Sequence, residues 1–150
     1  MKLSLSYYDA LSLRRLIENA SIAGASNVLR SRLLRLLTVE LQDFEKEKDR
    51  LLEENAERTP DGKPITRPDP KGVIVILKNN GQEFNAAFTA LIKESLITIE
   101  ATDDQTEQAF KLMRKIVSTD LCPEIKGEDA ARFGTIHEAI VAATSAPPAP

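Results

Sequence analysis

The chain has 150 residues, 42% of them hydrophobic and 29% charged, with a formal net charge of -3. These are the proportions of one ordinary globular domain and exclude a multidomain enzyme or a disordered chain. No apolar run approaches the roughly 18 to 20 residues of a membrane span, and residues 1–10 lack the continuous apolar core of a signal peptide, so a soluble, cytosolic protein is expected. One cysteine, Cys122, and one histidine, His137, exclude an internal disulfide and a thiolate-imidazole metal cage.

In chain order, the first periodic stretch runs from about Ser6 to Ile22, with Leu13, Leu16, Ile17 and Ala20 on one face. Ser6 followed by Asp9 resembles a helix start, and Gly24 is a natural stop before Ser26 caps a second helix. Residues Asn27 to Arg58 contain neither Pro nor Gly and are rich in strong helix formers, which predicts one long helix. Charge is uneven across these helices. Residues 1–39 carry a net +4, and residues 40–58 a net -4. In the second stretch acids alternate with Lys46, Lys48, Arg50 and Arg58, as on a solvated helical face.

At 1.5 Å per residue the second helix would span roughly 48 Å and the first only about 25 Å. An antiparallel hairpin of the two would leave the distal part of the longer helix unmasked. Leu34, Leu37, Leu41, Phe44 and Leu51 keep the spacing of a coiled-coil seam, interrupted by Lys48. Phe44, Leu51 and Leu52 are therefore the candidate partner-binding residues, either for a second copy of the chain or for another protein.

Residues Thr59 to Lys71 hold four prolines and read as a surface loop. Val73 to Leu77 reads as a strand. Asn80 with Glu83 predicts a cap for a third helix with Phe84, Ala87, Phe88 and Leu91 inward. Leu96 to Glu100 reads as a second strand, and Thr102 with Gln105 as the cap of a fourth helix reaching about Ser118. A fifth helix, about Glu128 to Ala143, is expected to bury Ala130, Phe133, Ile136 and Ile140, and the tail Thr144 to Pro150 to be disordered. The expected fold is mainly α (α+β). It comprises a helical hairpin over 1–58, a loop over 59–72, and a helical core over 73–143 with one two-stranded sheet of undetermined strand direction.

The chemistry-bearing residues are sparse. No glycine-rich phosphate loop is present, since neither G-x-G-x-x-G nor G-x-x-x-x-G-K-[ST] occurs. His137 has no carboxylate or nucleophile marked for it, and its neighbour Glu138 points elsewhere on a helix. Cys122 lacks a second cysteine and a basic cluster. Asp103 and Asp104 suit the positive end of a helix better than a metal. No enzyme activity, cofactor or metal is expected. The one charged feature with a functional meaning is basic: Arg14, Arg15, Arg30, Arg32 and Arg35, which would contact phosphates if they converged. Net acidity, 5% aromatics and no Trp leave few platforms for stacking bases, so nucleic-acid binding is the second reading.

The short first helix, the turn Gly24-Ala25-Ser26, the Arg/Leu-rich long helix turning acidic, and the turn carried by Asp61, Gly62 and Pro64 resemble small helical accessory proteins of tailed bacteriophages, over residues 11–65. That family has no settled catalytic residues to carry over. The resemblance implies a phage origin and an accessory role, in the virion or against a factor in the host cytoplasm. With the seam it implies a non-catalytic protein acting by association with itself or another protein.

Overall fold

The structure, a computed structural model, describes residues 1–145. It is mainly helical, 64% in helix, with two small antiparallel sheets among the described residues. The chain divides into two compact units, one formed by residues 1–42 with the chain from Leu96 onward, the other by residues 43–95. The expected division into a hairpin over 1–58 and a core over 73–143 does not follow this boundary, because the N-terminal elements pack with the C-terminal ones.

The first unit begins with a strand that the sequence reading left out. β1 (Lys2–Leu5) alternates exposed and buried residues and pairs antiparallel with β4 (Ile97–Glu100), Leu3 opposite Ile99 and Leu5 opposite Ile97. Four residues are too short a run for alternation to stand out. Leu3, Leu5, Ile97 and Ile99 are buried, and β1 packs on α5 (Gly127–Ser145).

α1 (Tyr7–Asn19) starts as expected, the Ser6 hydroxyl accepting the Asp9 N–H at 3.2 Å. It buries Ala10, Leu13, Leu16 and Ile17 and packs on α5 and on α4 (Asp104–Ser118). From α4 come Phe110, Met113 and Ile116, and from α5 Ile136 and Ile140, all fully enclosed. Each such side chain contributes roughly 1.5 to 3 kcal/mol by leaving water. Ala130 is exposed and Phe133 only half-buried, so the inner face of α5 is narrower than expected. Gly24, with φ +65°, turns the chain, and α2 (Ser26–Glu54) begins at Ser26 itself. Leu33, Leu37 and Leu41 of α2 are buried.

Three helix ends differ in detail. α4 is capped by Asp103 with Thr106, one residue beyond the expected pair. α3 (Gln82–Glu94) is preceded by Gly81 in the left-handed conformation, with no side-chain cap, while Asn79 donates to Glu83 Oε1 at 3.0 Å. α5 extends through Thr144 and Ser145, whose hydroxyls take Arg114 Nη1. The rest of the expected disordered tail, residues 146–150, lies outside the described residues.

In the second unit α2 ends at Glu54, four residues earlier than expected, because the following backbone is claimed by strand-like pairing. Glu57 N–H donates to Ile76 O and its carbonyl accepts from Ile65 N–H, both at 2.8 Å. The proline-rich loop contains β2 (Thr66–Asp69), paired antiparallel with β3 (Gly72–Val75). Proline is tolerated there: Pro68 faces Val73, and counting by twos from the bonded pair Ile76 to Ile65 puts it at a position whose backbone turns away from β3. The two strands expected from sequence therefore belong to different sheets and do not pair with each other.

Candidate functional site

The seam expected to hold a partner is covered at Phe44 within the second unit. Phe44 is 5% exposed, its ring edge-on to Phe88 at 6.2 Å between centroids, and Phe88 stacks on Phe84 at 5.6 Å. Lys48, the residue that interrupts the leucine spacing, holds its ammonium 5.4 Å from the centre of the Phe88 ring, a cation-π contact. Phe44 is a core residue, not a docking anchor. Leu51 and Leu52 are half-buried.

The five arginines do not converge either. Arg14 pairs with Glu18 along α1 at 3.6 Å. Arg15 reaches across to Asp129 of α5, Nε to Oδ2 at 2.9 Å. Arg30 donates to the carbonyls of Glu18 and Ala20 at 3.0 and 2.8 Å and also reaches Ile22 O, which satisfies the orphan acceptors at the end of α1. Arg32 binds the Gln105 side-chain oxygen. Arg35 lines an open groove.

Arg15 belongs to a polar cluster between α1 and α5. Ser12 is fully buried and donates to Asp129 Oδ1 at 2.6 Å. Arg132 reaches the buried Asp9 at 3.1 Å and lies 5.1 Å from the centre of the Tyr8 ring. The Arg15 hydrogen bond, then the Ser12 hydroxyl, hold the Asp129 carboxyl down to about 2. The cluster is built to join two helices: each carboxylate is already matched by a guanidinium. No local pattern could have marked it, since its partners lie more than a hundred residues apart in sequence.

The remaining candidates for chemistry are occupied in similar ways. Asp103 is the α4 cap, and the Thr106 N–H and hydroxyl lower its pKa. Burial raises that of the Cys122 thiol. His137 lies half-buried beside Phe133, ring centres 6.0 Å apart. Among the described residues no group of three or more His, Cys, Asp or Glu side chains is placed to hold a metal ion.

What the first unit does present is a groove of about 440 Å³ between β4 and α2. One wall is Thr98, Ile99 and Glu100, continued by Thr102; the other is Arg35, Leu36, Val39 and Glu40, with Lys2 of β1 at the margin. Val39 is 51% exposed although apolar. On a helical wheel Leu36 and Val39 fall about 60° and 120° from Leu33, to the side away from Leu37 and Leu41, so α2 carries more apolar surface than its buried stripe uses. That surplus was the available sequence signal, and the seam pattern masked it. Lys2 and Glu100 are directly opposite each other on the paired strands and offset one another. Arg35 and Glu40 rim the apolar strip with opposite charges.

No family model, curated protein or solved structure matches this chain. The groove is therefore judged on its own geometry. It has an apolar floor, charged rims of both signs and an adjoining strand edge. Among the described residues no helix is long and apolar enough to cross a membrane.

Proposed function

We propose that the protein acts without catalysis, by binding another protein through the groove between α2 and β4. The observation that carries this reading is the apolar strip of half-buried Leu36 and exposed Val39 facing the strand wall Thr98 to Glu100 across open space. An exposed valine flanked by Arg35 and Glu40 supports a modest apolar contact with charged rims that set orientation. The phage accessory role, in a virion or against a host-cytoplasmic factor, rests on the resemblance of residues 11–65 alone. Nucleic-acid binding is the weaker reading, because Arg14, Arg15, Arg30 and Arg32 already have partners within the fold.

The test is comparative purification of the tagged chain and its Val39→Asp and Val28→Asp variants from infected cells. Val28 lies on the same helix, is 57% exposed and does not line the groove. A partner kept by Val28→Asp and lost by Val39→Asp supports the reading, and its identity as a virion or host protein decides the role. A protein whose only retained ligand is nucleic acid, released steeply by salt, would replace it.

A further inference from the structure

The groove has a directional wall. In an antiparallel pair, opposite residues alternate between those that exchange backbone hydrogen bonds and those whose N–H and C=O point outward. Ala101 N–H donates to Met1 O at 2.9 Å, so with Leu3 opposite Ile99 and Leu5 opposite Ile97 the bonded positions of β4 are 97, 99 and 101. Thr98 and Glu100 turn their backbone N–H and C=O away from β1. Their side chains follow the same rule: Thr98 and Ser4 share a hydroxyl hydrogen bond at 2.9 Å, as expected at the closer, non-bonded pair. Among the described residues no strand pairs with the other edge of β4. Thr98, Ile99 and Glu100 all line the groove, and consecutive residues, whose side chains alternate between faces, meet one space where it reaches the strand's edge, with Lys2 of β1, opposite Glu100, bordering it from the sheet face.

We infer that the groove takes an extended segment of the partner protein, which adds a strand to the free edge of β4 and rests its side chains on α2. This rests on the association reading above and specifies its occupant. The ladder would use the four outward backbone groups of Thr98 and Glu100, and affinity from main-chain pairing with specificity from alternate side chains is the usual division in strand addition. The helix wall sets the side chains. Arg35 and Glu40 are five residues apart on α2, a turn of about 140° around its axis, so they flank Leu36 and Val39 on opposite sides and give the helix wall a basic rim and an acidic rim. A segment with an acid toward Arg35 and a Lys or Arg toward Glu40 complements both rims, and the aliphatic stem of that base covers Leu36 and Val39.

The probe is a displayed library of random dodecapeptides selected on the intact protein, read out by binding of the enriched peptides and by amide hydrogen exchange. Expected are sequences that carry both an acid and a base, with added exchange protection at Thr98 and Glu100. Binding should fall at least tenfold in Thr98→Pro and stay within twofold in Thr98→Val. Proline removes the outward N–H and, as valine also does, the hydroxyl bonded to Ser4, and retained protection of Leu3 and Ile99 reports that β1 and β4 still pair. If Thr98→Pro fails that check, N-methylation of the peptide at alternate residues replaces it and is expected to abolish binding in one phase of the alternation only. Peptides sensitive to Val39→Asp but not to loss of the Thr98 N–H would overturn strand addition while leaving association through the groove in place. Peptides insensitive to Val39→Asp, or none selected at all, would overturn both. Dimerisation of the chain that is itself lost in Thr98→Pro would make a second copy the occupant and overturn the foreign partner.

Discussion

Asp129 of α5 accepts hydrogen bonds from Arg15 of α1 across 114 residues of sequence, Nε to Oδ2 at 2.9 Å, and it takes the Ser12 hydroxyl on its other oxygen at 2.6 Å. The carboxyl is thereby held at about 2 against an ordinary 3.8. Its stabilising contribution is complete above about pH 4 and is lost as the pH falls through 2. Because the guanidinium is 45% exposed, solvent screening leaves about 1 kcal/mol. Urea unfolding should show Asp129→Asn less stable by about that amount at pH 7, with the difference from the parent protein shrinking as the pH falls from 4 toward 2. A difference that does not change with pH would remove the carboxylate from the account of stability.

Phe44 should behave as a core residue. Phe44→Ala removes a buried ring that meets Phe88, and truncations of this kind cost about 3 to 5 kcal/mol. Thermal or urea unfolding is the measurement. A loss below about 1 kcal/mol with a change in association would return Phe44 to a docking role.

Arg30 should act as a cap on the end of α1. Arg30→Met keeps much of the aliphatic packing but removes the guanidinium from the carbonyls of Glu18 and Ala20 and leaves Ala20 O only its bond from Ile22 N–H. The expected cost is about 1.5 to 3 kcal/mol, with faster amide exchange concentrated at Ile17 through Ile22. Tighter or looser binding of nucleic acid without any stability change would contradict it.

Asn79 and Asn80 hold φ of +51° and +55° ahead of Gly81 at +80°, a run of left-handed residues that asparagine tolerates and β-branched residues do not. Asn80→Val should destabilise by about 1 to 2 kcal/mol, whereas Asn80→Gly should be neutral or slightly stabilising. The same unfolding assay separates the two.

The helices were legible because each has its own periodicity and stop. Leu13, Leu16 and Ile17 announce α1, and the unbroken run of helix formers announces α2. β1 was not legible, since a four-residue strand has meaning only once Ile97 and Ile99 come to meet it. β2 was hidden by Pro68, a residue that argues against a strand until the register shows its nitrogen pointing outward. The division of the chain failed for the same reason. The preference of α1 for α4 and α5 over an isolated hairpin with α2 is a long-range packing choice that no local spacing encodes. The candidate site suffered most, because a leucine stripe running on into Phe44 looks the same whether a partner or Phe88 covers it. Of the residues singled out in advance, only Arg35 lies in the groove.

The most direct measurement is site-specific photo-crosslinking in the cells that produce the protein, with benzoylphenylalanine placed at Val39 in the groove or at Val28 on the same helix outside it. The expected result is a discrete protein adduct from Val39, absent or much weaker from Val28 and competed away by a peptide selected on the groove. Equal labelling from the two positions, or no adduct from Val39, would contradict association through the α2 and β4 groove.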